Sequence, residues 1–291
     1  MKKPDGLRTK IFLDSADPRE TEETLSALGF LDGQTTNPTL VAKNPGIKAE
    51  MENGEKFDEA QLLSFYEGVV QEISRLIPDG SVSIEVYSDV KTTSAEMLAQ
   101  AKTFYDWIPN GHIKFPCTYE GFKAARAATT DNIRVNMTLC FSQQQAAATH
   151  AATKGAKAED VFVSPFIGRL DDQEKNGLDL VQNIIHMYQE AGSHVQVLAA
   201  SIRTMDHFIA ALEMGADIVT APLTILKNWA DAGMPIADGQ VRFEHDRLAK
   251  IPYEELDLNL PIPSYNVTEI NPLTLAGIRK FSEDWNHLIS K

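Results

Sequence analysis

A lysine stands in the middle of a short β-rich run, His112-Ile113-Lys114-Phe115-Pro116. Side chains of a strand alternate between two faces, so where Ile113 and Phe115 meet a packed layer Lys114 points to the other side. The same alternation sets Glu85 apart from Val82, Ile84 and Val86, and sets Asn136 and Thr138 apart from Val135, Met137 and Leu139. Asp14, Asn37 and Ser164 close three further runs. An ammonium, two carboxylates, amides and hydroxyls gathered on one inner face are costly to bury unless they pair. A pre-organised reactive cluster accounts for that cost.

These types define a chemistry. The amine of a partly desolvated lysine attacks a carbonyl to form a Schiff base. The resulting iminium is an electron sink, so a C–C bond beside the former carbonyl can break or form. One carboxylate must move the proton of the hydroxyl at that bond. A second carboxylate, with a hydroxyl, can handle the water of imine formation and hydrolysis. Asp14 and Glu85 can divide those roles, and the amides of Asn37 and Asn136 can orient sugar hydroxyls. Arg169 follows the sixth run and Arg203 the seventh, just before a helix start near Thr204. Two arginines, a serine and a helix N-terminus there suggest a phosphate site.

The elements that must position these residues follow an alternating pattern. β-rich runs at 10–14, 33–37, 82–87, 112–115, 134–141, 160–164, 194–199 and 217–220 are separated by amphipathic stretches such as 19–28, 58–76, 94–105, 143–154, 177–190 and 205–214. Asp17-Pro18 with Glu20 reads as a helix start, and Gly29, Gly155, Gly192 and Gly215 sit where helices should end. Eight such units predict an α/β (β/α)₈ TIM barrel, whose active site lies at the C-terminal ends of its strands. The competing arrangement is an open doubly wound sheet; no Gly-x-Gly-x-x-Gly follows the first run, which weakens its dinucleotide-binding form. One barrel domain over 1–291 is expected. Segments around 44–56 and 234–271 are read as surface insertions, because neither carries enough apolar residues for its own core. A C-terminal closing helix is expected over 272–289, with an apolar stripe of Leu273, Leu275, Ile278, Phe281, Trp285 and Leu288. His112 is expected inside the barrel below the lysine as a structural residue, Cys117 as an inert packed thiol, and Cys140 on the inward face of the fifth strand.

Composition limits the partners. The chain has 27 Lys and Arg against 41 Asp and Glu, a net charge of −14, which disfavours nucleic acid and anionic membranes. Arg169 and Arg203 are a local exception, enough for one phosphate. The 2 cysteines exclude a disulfide scaffold and most cysteine-based zinc sites. Residues 1–10 are polar, and no apolar stretch reaches the roughly 18 residues of a membrane span. A cytoplasmic location is expected.

Several motifs together resemble the transaldolase family. They are Thr35-Thr36-Asn37-Pro38-Thr39-Leu40, the strand around Glu85, and segments 113–121, 136–142, 164–169, 200–203, 215–222 and 272–285. The resemblance runs in order over nearly the whole chain and implies a class I aldolase-type barrel. It implies Lys114 as nucleophile, Asp14 as general acid/base for carbon–carbon cleavage, and Glu85 with Thr138 as activators of the catalytic water. It further implies that Asn37, Asn136 and Ser164 hold a dihydroxyacetone unit, and that Arg169, Ser201 and Arg203 hold phosphate. The implied reaction moves dihydroxyacetone from sedoheptulose 7-phosphate or fructose 6-phosphate to an aldose phosphate, as in the pentose phosphate pathway, with no cofactor or metal. The expected partners are sugar phosphates and further copies of the chain in a homo-oligomer.

Fructose-6-phosphate aldolases share the short-chain pattern but carry Tyr at the position of Phe166 and Gln at that of Glu85, so both residues favour transaldolase. A transaldolase for a sulfonated sugar is a further alternative, as is a non-catalytic phosphosugar-binding barrel. The presence of Lys114, Asp14 and Glu85 argues against the last. Two residues depart from the family pattern: Phe115 and Cys117 stand where smaller aliphatic side chains are expected.

Overall fold

The computed structural model describes residues 2–54, 56–236 and 247–290. Among them, eight parallel strands pair in chain order and close on themselves: β1 (Lys10–Asp14), β2 (Gly33–Thr35), β3 (Ser81–Glu85), β4 (Gly111–Pro116), β5 (Val135–Cys140), β6 (Val161–Pro165), β7 (Gln196–Ala199) and β8 (Ile218–Ala221). The β1–β8 pairing, Lys10 to Ile218 through Leu13 to Ala221, makes this the expected (β/α)₈ barrel and rules out the open sheet. The helices are α1 (Pro18–Leu28), α2 (Pro38–Lys43), α3 (Pro45–Glu52), α4 (Glu59–Leu76), α5 (Ser94–Tyr105), α6 (Tyr119–Thr130), α7 (Gln143–Ala152), α8 (Ile167–Asp171), α9 (Gly177–Ala191), α10 (Met205–Glu213), α11 (Leu223–Asp231) and α12 (Pro272–Leu288). None of these is long and apolar enough to cross a membrane.

Local chemistry explains the starts and stops. Asp17 caps α1 by accepting from Arg19 N, and Pro18 sits in its first turn. Capping boxes open α4 (Asp58 with Gln61) and α5 (Thr93 with Glu96). β2 stops at Thr35, short of its expected end, because Asn37 Oδ1 accepts from Leu40 N and starts α2.

Inside the barrel, the side-chain alternation holds. Phe12, His112 and Phe162 meet toward the N-terminal end, where the His112 ring stacks on Phe162 at 4.0 Å and Phe12 packs edge-on at 6.2 Å. One step further along those strands lie Asp14, Lys114 and Ser164. Ile11, Leu13, Ile113 and Phe115 are fully buried in the helix layer.

Cys140 is a correction to the inward placement. The β5–β6 register slips between Met137 and Cys140, and Leu139 between them takes a left-handed φ of 58°. That turn reverses the alternation. Cys140 therefore lies among Cys117 and Tyr188 of the helix layer.

The two extra segments also gain definition. Within 44–56, Asn44 caps α3 by accepting from Gly46 N, and Ile47 is buried; Glu55 lies outside the described residues. Of 234–271, residues 237–246 lie outside them. The following stretch crosses α9 and α7: Asn176 N donates to Ala249 O at 2.9 Å, Ile251 N to Asp179 at 3.0 Å, and Glu254 N to Gln143 Oε1 at 2.7 Å. This leads the chain to α12. There Ile278, Phe281, Trp285 and Leu288 are buried and Leu273 and Leu275 half-buried. α12 is held to the barrel end by Thr274 Oγ1 donating to Leu139 O at 2.9 Å, and to α2 by the Thr39–Asp284 hydrogen bond.

Candidate active site

Strand register brings the inner polar residues side by side. Glu85 of β3 pairs with Lys114 of β4, and Lys114 pairs with Asn136 of β5. Lys114 Nζ lies 3.0 Å from Glu85 Oε2 and donates to Thr36 O at 3.0 Å. Tyr66, from α4, ties this corner together: its hydroxyl accepts from Glu85 N at 3.0 Å and is hydrogen-bonded to Thr36 Oγ1.

Both carboxyls of the cluster are buried. Burial pushes Glu85 above the usual carboxylate range, against the pull of the Lys114 ammonium. Burial also raises Asp14, opposed by Lys114 and by a 2.7 Å hydrogen bond from Thr35 Oγ1. Burial thus favours the protonated form of both carboxyls relative to an exposed carboxylate. Asn136 is locked in orientation, its Oδ1 accepting from Ser164 Oγ at 2.7 Å and its Nδ2 donating to Ser83 Oγ at 3.1 Å. Glu85 Oε2 and Thr138 Oγ1 are buried and make no hydrogen bond among the described residues. In Glu85 that oxygen lies 3.0 Å from Lys114 Nζ.

A cavity of about 240 Å³ at the C-terminal ends of the strands has Asp14, Asn37, Lys114, Thr138, Ser164, Phe166, Arg169 and Ser201 among its walls, whereas Glu85 and Asn136 are not among its lining residues. The Arg169 guanidinium lies 5.3 Å from the ring of Phe166 and 5.3 Å from that of Phe281 of α12. Burial lowers its pKa, as does the like charge of Arg203. Gly277 makes the approach of α12 to this arginine possible: a Cβ there would stand 2.6 Å from Arg169 Nη1. Ser201 takes a left-handed φ of 58° between β7 and α10.

Asn37 both lines the cavity and caps α2, so its amide oxygen is already committed. Arg203 is not among the cavity-lining residues. Its guanidinium makes a two-pronged ion pair with Asp172, with Nη2 2.6 Å from Oδ2. The structure adds wall residues that sequence reasoning missed: Thr35, Thr220, Lys43, Lys280 and Phe281. Lys43 lies one helical turn after Thr39 in α2, and the Asn37-Pro38 helix start is the signal that could have pointed to it. Lys280 precedes Phe281 on the edge of the closing helix's apolar stripe. His112 lies below the cluster, hydrogen-bonded to Ser81 Oγ at 2.8 Å and Glu159 O at 3.0 Å; burial pushes its pKa down to about 3. A second cavity of about 490 Å³ touches Glu85 from the side of Tyr87 and Trp285, but none of Lys114, Asp14 and Arg169 is among its lining residues.

Residues 11–291 match the family described as Transaldolase/Fructose-6-phosphate aldolase. The chain is similar to proteins named "Probable transaldolase" in several bacteria. That of Dehalococcoides mccartyi is 41% identical over 238 residues, covering 81% of this chain and 97% of the relative. That of Sinorhizobium medicae is 40% identical over 245 residues, covering 78% and 100%. That of Anaeromyxobacter dehalogenans is 33% identical over 276 residues, covering 95% and 96%.

Proposed function

The chain belongs to the transaldolase/fructose-6-phosphate aldolase family, and on that premise we propose that it is a transaldolase moving a dihydroxyacetone unit from a ketose phosphate to an aldose phosphate through a Schiff base on Lys114. The donor is sedoheptulose 7-phosphate or fructose 6-phosphate, as in the pentose phosphate pathway. The observation that carries the reading is the Lys114–Glu85 contact of 3.0 Å, with side chains only 5% and 3% exposed, in which Lys114 also lines the cavity that holds Asp14.

The residue roles in the steps are those that the family resemblance implies. Lys114 Nζ attacks the ketose C2 and forms a carbinolamine. Its hydroxyl leaves as water when Glu85, with Thr138, supplies the proton; Glu85 Oε2 and Thr138 Oγ1 are the two buried atoms with hydrogen-bonding capacity to spare there. Asp14 takes the proton of the C4 hydroxyl as the C3–C4 bond breaks, and its electron pair passes into the iminium to give an enamine. The aldose phosphate leaves. The enamine then attacks the aldehyde carbon of the acceptor, Asp14 returns its proton to the new hydroxyl, and water added through Glu85 hydrolyses the imine. Asn37, Asn136 and Ser164 hold the three-carbon unit, and Arg169, Ser201 and Arg203 hold the phosphate.

The nearest second reading is an aldolase that releases free dihydroxyacetone. Phe166 disfavours it: its ring packs against Arg169 and, at 5.7 Å, against Phe141, so it brings no hydroxyl to a water. A sulfonated ketose would use the same arginines. Borohydride reduction in the presence of fructose 6-phosphate tests the proposal, the expected result being a covalent mass increase on Lys114. No adduct overturns the Schiff base. With erythrose 4-phosphate added, transfer must outpace release of free dihydroxyacetone; the reverse favours the aldolase.

A further inference from the structure

Arg203 is held in a defined place. Its backbone N donates to His207 Nδ1 at 3.4 Å, and Gly168 N donates to the neighbouring Ser201 O at 3.0 Å. Its stem lies directly over Gly168, where a Cβ would stand 2.5 Å from Arg203 Nε and 2.7 Å from Cδ. Arg203 Cδ and Nε are thus packed closely over Gly168. The guanidinium end is occupied by Asp172, the residue after α8, through two hydrogen bonds. The pair is half-exposed, at 45% and 51% of side-chain surface. Ser201 lines the cavity and the charge of Arg203 is felt at Arg169, but Arg203 itself is not among the lining residues.

We infer that Asp172 is a positioning residue that competes with the anionic end of the substrate for Arg203. The carboxylate offers the guanidinium the same planar two-pronged contact that a phosphate would. An incoming phosphate has to displace it, or bind through Arg169 and Ser201 alone. A neutral sugar meets no such competition. Asp172 therefore sets how strongly the site prefers phosphorylated over unphosphorylated ketoses, and lowers retention of free phosphate. This rests on Arg203 being a contact for the substrate's anionic group.

The test uses Asp172→Asn and Asp172→Ala in the full chain. Exposed ion pairs are worth roughly 0.2–1 kcal/mol, so inorganic phosphate, measured by calorimetry, should bind about 1.4- to 5-fold more tightly. The ratio of KM for fructose 6-phosphate to KM for fructose should fall by a similar factor. Asp172→Glu, which keeps the carboxylate, should restore the parent ratio. In an Arg203→Ala background the removal of Asp172 should bring no gain. Unchanged or weaker phosphate binding in both Asp172 variants overturns the inference, as does a gain that persists without Arg203. Should Lys114 form no adduct, the proposed reaction falls, but phosphate calorimetry still decides the role of Asp172.

Discussion

Lys114 and Glu85 face each other from neighbouring strands with Nζ and Oε2 3.0 Å apart, where neither side chain is more than 5% exposed. A buried pair of this kind contributes little net stability when intact, yet breaking it leaves an uncompensated charge that costs about 3 kcal/mol or more. Lys114→Ala is expected to abolish turnover and to make stability depend on pH. Without the ammonium, nothing at that position opposes the burial that already raises Glu85. A carboxyl whose folded pKa lies above its unfolded value favours the folded state below the ordinary carboxylate range, and that contribution is lost as pH rises through the raised value. The variant should therefore lose more stability relative to the parent at pH 8 than at pH 5, as read by urea unfolding. Equal losses at both values would show that this contact does not help to hold Glu85 ionised.

Asp14 occupies the same inner layer, with Thr35 Oγ1 donating to it at 2.7 Å. In the proposed reaction it acts only after the imine exists. Asp14→Ala should lower kcat by about 10²- to 10⁴-fold while the borohydride adduct on Lys114 still forms from fructose 6-phosphate. Mass spectrometry of the reduced protein separates the two steps. Loss of the adduct together with turnover would assign Asp14 to imine formation instead.

Phe166 shields one face of Arg169, and Phe281 stands at the same 5.3 Å. Phe166→Tyr adds a phenol to the cavity wall without removing the ring. A phenol there can help position water, so the ratio of free dihydroxyacetone released to dihydroxyacetone transferred should rise. An unchanged ratio, measured with erythrose 4-phosphate present, would remove Phe166 as the residue that separates the two reactions.

The inner half of this site was legible because strand alternation has only two outcomes. Once Ile113 and Phe115 were assigned to the helix layer, Lys114 had one direction left, and the same reasoning oriented Glu85 and Asn136. The pairing of these three across β3, β4 and β5 followed from the barrel order. What alternation cannot carry was not legible. Leu139 breaks the period with a left-handed residue, so Cys140 ended in the helix layer. The partner of Arg203 depends on where Asp172 comes to rest after α8, and Lys43 and Lys280 reach the cavity only because α12 packs on α2. The polar stretch after Asn44 formed a helix because an asparagine cap and Pro45 start one whatever the composition that follows.

His112 offers a measurement independent of turnover. Its ring is buried against Phe162, with both nitrogens hydrogen-bonded, and its pKa is pushed down to about 3 by burial. The ring should therefore show no protonation step between pH 5 and 8 by NMR, whereas a free histidine titrates near about 6.5. The unfolded chain takes up this proton as pH falls below about 6.5, while the folded chain resists it until about pH 3. Stability is thus lost as pH falls through that window, at up to about 1.4 kcal/mol per pH unit from this residue. Asp14 and Glu85 act in the opposite direction, because their raised carboxyls hold protons more readily in the folded state. Comparison of the parent with His112→Gln removes that opposing contribution, since both carboxyls are common to the two proteins. The variant should be less stable at pH 7 but lose less on going from pH 7 to pH 5. A parent and variant with parallel stability profiles would mean that His112 carries its proton inside the barrel.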